Sequence, residues 1–494
     1  MITRYPINSH RLVAETATVK QAMALINNAD GQLVLVVNTE GQLSRTLTDG
    51  DIRRALLSGI SLDDLIENLP HIHPVVVPSG SSGEEVLELA KKTQVKDIIE
   101  VDSDGCPKAL FGIMNESQIL LSSPHMGNAE LSYVRSAFST NWIAPAGPNL
   151  DAFEERIAKR ADKRFAVALS SGTAALHLSL VALKLPDRAC VYVSDKTFVA
   201  SAQPILYERL QPRLIDSEAL TWNMSPDALE RAILEDIKQK NPPGCVILVH
   251  LYGQPAEVKK IKTICEAYQI PLIEDAAESL GGIYHGSESG SHGDIGVYSF
   301  NGNKIITTSG GGALVTDNEE IAVRVRKLAS QGRDRAFHYQ HSEISFNYRM
   351  SNVLAGIGLG QLQVLDARVR ARQSVFQRYV DALDHFPHFN FQSDCEGAQG
   401  NRWLTAMTLD ASVSEISAYT LMKILRTKGI ETRPSWKPMH LQPLFFDAPF
   451  FAHSDDDVVS SRLFLTGLCL PSGSNMSEDQ QDKVISEIKK AVDI

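Results

Sequence analysis

The sequence predicts an α/β protein: a mostly parallel sheet with crossover helices, a smaller α/β domain after it, and a repeated module before it. Three observations predict this. A stretch near Thr18 reappears near Ser82, with "VVNTEG" and "EVDSDG" offset by 64 positions. From "SSPHMG" (Ser122–Gly127) onward, short runs rich in Val, Ile and Leu alternate with helical patterns, as buried parallel strands and their crossovers do. A long helical stretch from about Ser351 to Leu383 then leads into a region carrying "ETRPSWKPMHLQPLF". The expected domains are residues 1–121, 122–370 and 371–494.

Each copy of the repeat reads as a helix with apolar residues at i, i+3 and i+4, then a strand, then an acidic Gly turn. The copies are "TVKQAMALINNADGQLVLVVNTEGQ" and "SGEEVLELAKKTQVKDIIEVDSDGC". They resemble a tandem cystathionine-beta-synthase-type (CBS) pair, and the resemblance implies adenine nucleotide as a candidate ligand. The Ser/Thr-x-x-Asp element of such modules corresponds to Thr48 and Asp51, with the hydroxyl meeting phosphate and the carboxylate meeting ribose. The alternative is that Thr48 and Asp51 cap the helix "DIRRALL". In the second copy Asn115 and Gln118 stand at roughly those places, so that site looks degenerate.

Composition narrows the function. Of the 494 residues, 43% are hydrophobic and 22% charged, ordinary for a soluble globular chain. A net charge of −11 speaks against a general affinity for nucleic acid or anionic membranes. No apolar run reaches a membrane span of about 18 residues, and "MITRYPINSHRLV" lacks a signal peptide's apolar core. The six cysteines form no CxxC or zinc spacing, so reduced thiols and a cytoplasmic location are expected. His338 and His341 form HxxH without a third ligand, so no metal is expected.

The chemistry gathers at strand ends, where open α/β sheets place their ligands. After "RFAVAL" comes "SSGTAALHL", a polar turn opening a helix. The backbone N–H groups of Gly172, Thr173 and Ala174 there suit a phosphate. After "IPLIE" come Asp275 and Glu278. After "IGVY" come Ser299 and, five residues on, Lys304 in "YSFNGNK". A phosphate cradle, a carboxylate and a lysine together point to pyridoxal 5'-phosphate (PLP). The lysine amine forms a Schiff base with its aldehyde, and the carboxylate keeps the pyridine nitrogen protonated. Asp275 fits the second role, Phe198 could stack on the ring, and Ser299 could add a hydroxyl to the phosphate. Singly, each signal has a plain structural reading: an N-cap, acidic residues at a helix start, a solvated lysine. Their order and spacing carry the PLP reading. Gly310–Gly312 is no P-loop, because no Gly-Lys-Ser/Thr follows. A turn that packs closely is expected there.

At these residues the sequence resembles the DegT/DnrJ/EryC1/StrS sugar aminotransferases. The resemblance runs from near residue 122 to the C-terminus through "TNWIAPAGPN", "SSGTAALHL", "TFVASAQPILYE", "HLYGQ", "IEDAAESLG", "SFNGNKIITTSGGG", "HYQHSEISFNYRMSN", "NRWLT" and "RPSWKPMH". It implies a large PLP domain of the aspartate aminotransferase-like fold type I plus a small C-terminal domain. By the same resemblance, Lys304 is the Schiff-base lysine and Asp275 holds the pyridine nitrogen. Glu278 contacts the ring hydroxyl side, Thr173, Ala174 and Ser299 hold the phosphate, and Asn347 reaches the phosphate of a neighbouring subunit. That last role implies a homodimer with shared active sites.

Within the family the sequence is most similar to the UDP-N-acetylbacillosamine type. Such enzymes aminate UDP-2-acetamido-2,6-dideoxy-4-ketohexose at C4, with L-glutamate as amino donor. Candidate substrate contacts are Trp142, His338, Tyr339, His341, Arg349, Trp436, Lys437 and His440. The alternatives are a GDP-4-keto-6-deoxy sugar or a legionaminic-type intermediate, or a nucleotide-sensing CBS protein whose transferase part is a scaffold.

Overall fold

Capping, turn and ladder chemistry recur at an interval of 64 residues near the N-terminus. Helix Val19–Asn28 starts after Thr18, whose N–H donates to Gln21 Oε1 (2.9 Å) while its Oγ1 accepts from the Gln21 N–H (3.3 Å). Helix Gly83–Thr93 starts after Ser82 with the same reciprocal pair to Glu85, at 2.7 and 3.3 Å. Each box satisfies two N–H groups that a helix start leaves without partners. The strands that follow, Leu33–Val37 and Asp97–Val101, both end in side-chain-closed turns. Asn38 Oδ1 accepts from the N–H groups of Glu40 and Gln42, and Asp102 Oδ1 from those of Asp104 and Cys106. Gly41 and Gly105 both take φ 81° there, a conformation open to glycine without strain. Even the ladder irregularity repeats, between Val36 and Val37 and between Glu100 and Val101.

The copies share strand directions too. Leu12–Ala14 runs parallel to Leu33–Val37, which pairs antiparallel with Leu43–Thr48. Val76–Pro78 runs parallel to Asp97–Val101, which pairs antiparallel with Pro107–Ile113. At Thr48 and Asp51 the helix cap is present. Thr48 Oγ1 accepts from the Asp51 N–H (3.2 Å), Asp51 Oδ2 accepts from the Thr48 N–H (2.9 Å), and Arg54 pairs with the same carboxylate. Asn115 lies outside the described residues, and Gln118 is exposed. The computed structural model describes residues 2–7, 11–28, 33–69, 73–93, 95, 97–113, 118–410 and 412–493.

The chain divides into two compact units, 1–118 and 119–494. In the second unit an eight-stranded sheet has the order Phe450–Phe451, Gln211–Ile215, Cys190–Ser194, Pro243–Val249, Leu272–Asp275, Ile295–Ser299, Gly312–Thr316, Phe165–Leu169. Gly312–Thr316 alone runs against the rest. The carboxyl ends of the parallel strands therefore face one side. Val167, Val193, Ile247, Ile273, Val297 and Leu314 are fully buried, so the strands read as near-continuous apolar runs with helices on both faces.

Gly312 has a definite task at that edge. A Cβ there would lie 2.4 Å from the carbonyl carbon of Ser171 and 2.5 Å from the Gly172 nitrogen. The expected close packing at the triple glycine thus falls on the start of helix Gly172–Leu183.

Three sequence expectations are modified. The helical stretch from Ser351 is two helices, Asn352–Leu362 and Leu365–Leu383, because Val364 leaves helical geometry at φ −112°, ψ 2°. The second helix runs through residue 370, where a domain boundary was expected. Residues 119–121, expected in the N-terminal module, join the C-terminal region. Ile119 bridges Ile430, and Leu121 O accepts from the Ser472 N–H (2.8 Å). The smaller C-terminal sheet has the order Phe389–Phe391, Thr405–Leu409, Gly467–Leu470, Arg433–Pro434, with all pairs antiparallel. Among the described residues no helix is long and apolar enough to cross a membrane, and no His/Cys/Asp/Glu group could hold a metal ion.

Candidate active site

A cavity of about 940 Å³ opens over the carboxyl ends of the sheet. Its lining includes the residues just after three strands: Ser170, Ser171, Gly172 and Thr173, then Thr197 and Phe198, then Asn301, Asn303 and Lys304. Asp275 and Ser299, the last residues of their own strands, line it as well. Parallel packing brings together groups that the sequence keeps far apart.

Ser171 caps helix Gly172–Leu183 by accepting the Ala174 N–H at 3.0 Å. Ala174 is buried, does not line the cavity, and has its N–H spent on this cap, unlike the expectation for a phosphate donor. Gly172 and Thr173 face the cavity. A Cβ on Gly172 would meet the Ser299 Cβ at 3.0 Å, so the glycine keeps backbone and hydroxyl together in a small polar cradle.

Asp275 is 5% exposed. Its Oδ2 accepts from Ser201 Oγ (2.7 Å) and its Oδ1 from the Ala277 N–H (3.1 Å). With its hydroxyl spent on Asp275, Ser201 accepts from Thr197 Oγ1 at 2.6 Å. Burial pushes the Asp275 carboxyl above the usual carboxylate range, against the pull of Ser201, the Ala277 amide and Lys304. A buried carboxylate supported by one hydroxyl and one amide suits a cationic N–H from a ligand. Behind it, His250 Nδ1 accepts from the Ala256 N–H, so Nε2 carries the hydrogen donated to Glu274 Oε2 at 2.9 Å. The His250 N–H in turn holds the Asp275 carbonyl at 3.1 Å.

Glu278 is buried beside Lys304, with Lys304 Nζ 3.3 Å from Glu278 Oε1. Its other oxygen accepts from the Tyr252 N–H at 2.7 Å. Burial pushes the Glu278 carboxyl up to about 7, opposed by Lys304 and the Tyr252 amide. Tyr252 has φ 57°, a strained value for a bulky residue, and this conformation aims its N–H at Glu278. Lys304 ends an Asn/Gly turn closed by its own N–H to the Asn301 carbonyl at 3.0 Å.

The other expected residues divide in two. Phe198, Trp436 and Lys437 line the cavity, and the Phe198 and Trp436 rings lie 5.6 Å apart. Trp142, His338, Tyr339, His341, Arg349, Asn347 and His440 do not line it. His440 Nδ1 bonds Asp195 Oδ2 at 2.7 Å, and its ring stacks on Phe450. Arg349 is paired with Glu154 (2.6 Å), and with Trp142 and Arg326 it borders a separate cavity. His341 bonds the Gln331 carbonyl, Tyr339 lies under Arg333, and Asn347 bridges Ser330.

Sequence reasoning missed Ser201, Trp403 and Arg433 among the lining residues. Ser201 had a usable signal, since it lies on the first turn of helix Val199–Tyr207, three residues after Phe198. Trp403 and Arg433 lie in the family-like stretches "NRWLT" and "RPSWKPMH", but only tertiary packing brings those stretches to the cavity.

Comparison with known proteins agrees with this architecture. Residues 124–489 match the model of the DegT/DnrJ/EryC1/StrS aminotransferase family, and residues 3–58 match that of the CBS domain, which covers the first copy of the repeat. EpsN of Bacillus subtilis (strain 168), provisionally named a pyridoxal phosphate-dependent aminotransferase, is 51% identical over 368 residues. That match spans 74% of this chain and 94% of EpsN. GDP-perosamine synthase of Caulobacter vibrioides is 33% identical over 380 residues, covering 76% of this chain and 98% of that protein. A solved DegT/DnrJ/EryC1/StrS aminotransferase from Brucella abortus superposes with a TM-score of 0.69 at 26% identity, over 74% of this chain and 95% of that one. DesI, solved in the presence of its TDP-sugar product, gives 0.68 at 25%, over 76% of this chain and 93% of DesI.

Fold and relatives together define a PLP-dependent sugar aminotransferase of fold type I. The chain belongs to the DegT/DnrJ/EryC1/StrS aminotransferase family and carries an N-terminal CBS domain.

Proposed function

We propose that this enzyme moves an amino group from L-glutamate to the C4 ketone of a UDP-4-keto-6-deoxy-N-acetylhexosamine. The observation that carries the reading is the placement of Lys304 against Glu278, with Asp275 buried in the same cavity wall. These residues fit PLP. Lys304 offers the amine and Asp275 the acceptor for a pyridine N–H. Glu278 would meet the ring hydroxyl side, and Gly172, Thr173 and Ser299 would hold the phosphate. Bound there, PLP supplies an aldehyde for the amine and a ring that takes up the electron pair of an adjacent carbon.

The chain's own groups do the rest. Asp275 holds a proton on the ring nitrogen, and the Ser201 hydroxyl and Ala277 amide orient its oxygens. Lys304 Nζ is the mobile base that lifts the proton from the donor Cα, and it returns a proton on the sugar half of the cycle. Phe198, which lines the cavity, would cover one face of the ring. Lys437 and Arg433 sit in the cavity wall, where a diphosphate needs cations.

The enzyme works as a homodimer with active sites built from two chains. Phe337, Tyr339 and Ile344 lie on a segment that projects almost fully exposed, an arrangement that a second copy would cover. Asn347, His338, His341, Arg349 and Trp142 do not reach their own Lys304 cavity and would serve the partner's.

A GDP-linked sugar is the second reading, favoured by the similarity to GDP-perosamine synthase. Incubation with glutamate and a panel of UDP- and GDP-4-keto-6-deoxy sugars, followed by mass detection of the amine, tests both. Amination of the UDP-N-acetyl sugar alone supports the first reading. Preference for the GDP sugar replaces it with the second.

A further inference from the structure

Trp403 touches the reacting lysine, and neither the proton transfers nor cofactor binding has a role for it. Lys304 Nζ lies 4.2 Å from the centre of the Trp403 ring, on the aromatic face where a cation is favoured. The same amine is 3.3 Å from Glu278, so it is bracketed by a carboxylate and an indole.

The indole is held from every side. Its Nε1–H donates to the carbonyl of Asn303, the residue before Lys304, at 2.6 Å. Its backbone N–H donates to Asn401 Oδ1 at 2.8 Å, and Asn401 Nδ2 donates to the Glu278 carbonyl at 2.9 Å. Its carbonyl accepts from Arg372, whose other terminal nitrogen donates to Ser122 Oγ at 2.9 Å. Ser122 Oγ donates onward to the Asn303 carbonyl at 2.8 Å. Arg372 is 1% exposed, and the partners of its guanidinium are a hydroxyl and a carbonyl. Burying such a cation without a carboxylate is costly, so its position calls for a reason. The loop of bonds Arg372–Ser122–Asn303–Trp403 supplies one: it fixes the turn that carries Lys304 and the ring that faces it.

We propose that Trp403 is a positioning residue that parks the free amine of Lys304 on its indole face, opposite Glu278. The lysine thereby returns to one place whenever it is not bound covalently. This rests on the reading of Lys304 as the PLP lysine.

The test reads Lys304 directly. Full-length protein stripped of PLP is acylated with a limiting amine reagent, and the Lys304 rate is compared with that of surface lysines by peptide mass analysis. In wild type the side chain is 12% exposed and held, so the rate is low. Trp403→Leu removes the ring, and the relative rate rises by about fivefold, the range of a lost cation–π contact. Trp403→Phe keeps a ring without the N–H and restores part of the protection. Wild-type rates in Trp403→Leu, or no protection by Phe beyond Leu, overturn the proposal. Should Trp403→Leu fail to fold by circular dichroism, Trp403→Phe has to label faster than wild type, and an unchanged rate there overturns it too. Borohydride reduction of wild-type holoenzyme separately locates the cofactor. Attachment away from Lys304 defeats the underlying reading and leaves the labelling result standing.

Discussion

Ser201 Oγ donates to Asp275 Oδ2 across 2.7 Å, joining the first turn of one helix to the end of a strand 74 residues later in the chain. The hydroxyl does not neutralise the carboxylate; it aims it into the cavity. Asp275→Asn keeps shape and loses charge, so on the proposed reading the ring nitrogen would lose the anion that keeps it protonated. Turnover falls about a hundredfold or more, as when a charge-stabilising group leaves a buried site. Ser201→Ala has a milder effect in the same direction. Steady-state kinetics of both variants with saturating PLP check this.

Lys304→Ala removes the amine that lies 3.3 Å from Glu278. The variant loses transamination and the visible absorption of lysine-bound cofactor while keeping its fold by circular dichroism. Normal turnover in Lys304→Ala would rule out the proposed chemistry.

Glu278 gives a pH signature. Its carboxyl is pushed up to about 7 by burial, whereas a glutamate in the unfolded chain titrates near 4.5. Between these values the folded state binds more protons than the unfolded state, so this group lowers stability as pH rises through the window. Above about 7 its contribution is constant. Glu278→Gln removes the effect. The melting temperature of the variant relative to wild type, measured without PLP, therefore climbs from pH 5 to pH 7 and then levels. A flat difference across that range would show that Glu278 titrates normally.

Gly312→Ala places a Cβ 2.4 Å from the Ser171 carbonyl carbon, and backbone cannot yield there cheaply. Stability drops by about 1–3 kcal/mol, as in overpacked cores, and PLP affinity falls because the start of helix Gly172–Leu183 shifts. Gly310→Ala, with open space around its Cβ, leaves stability nearly unchanged. Denaturant unfolding of the pair makes the comparison.

The proposed shared-site dimer predicts complementation. Lys304→Ala and Arg349→Ala homodimers are both inactive, but mixing and re-equilibrating them forms heterodimers with one intact site. Recovered activity of about a quarter of wild type is expected from random pairing of symmetric dimers. No recovery would place Arg349 in its own chain's chemistry, and an active Arg349→Ala homodimer would place it outside the chemistry.

Much of this molecule was determined by local sequence. Periodicity and turn residues suffice for the strands, the 64-residue repeat and the Asn/Gly turn at Lys304, because backbone hydrogen bonding and capping are settled by near neighbours. Thr48 and Asp51 show the limit of that logic: the same spacing serves a cap or a ligand, and the structure displays the cap. Sheet order was decided only in three dimensions, since strand pairing depends on which apolar faces bury each other. With it came Trp403 over Lys304, Ser201 on Asp275, His250 on Glu274, and the buried Arg372. Those contacts join segments that no local pattern links, and burial is what pushes the Asp275 and Glu278 carboxyls upward.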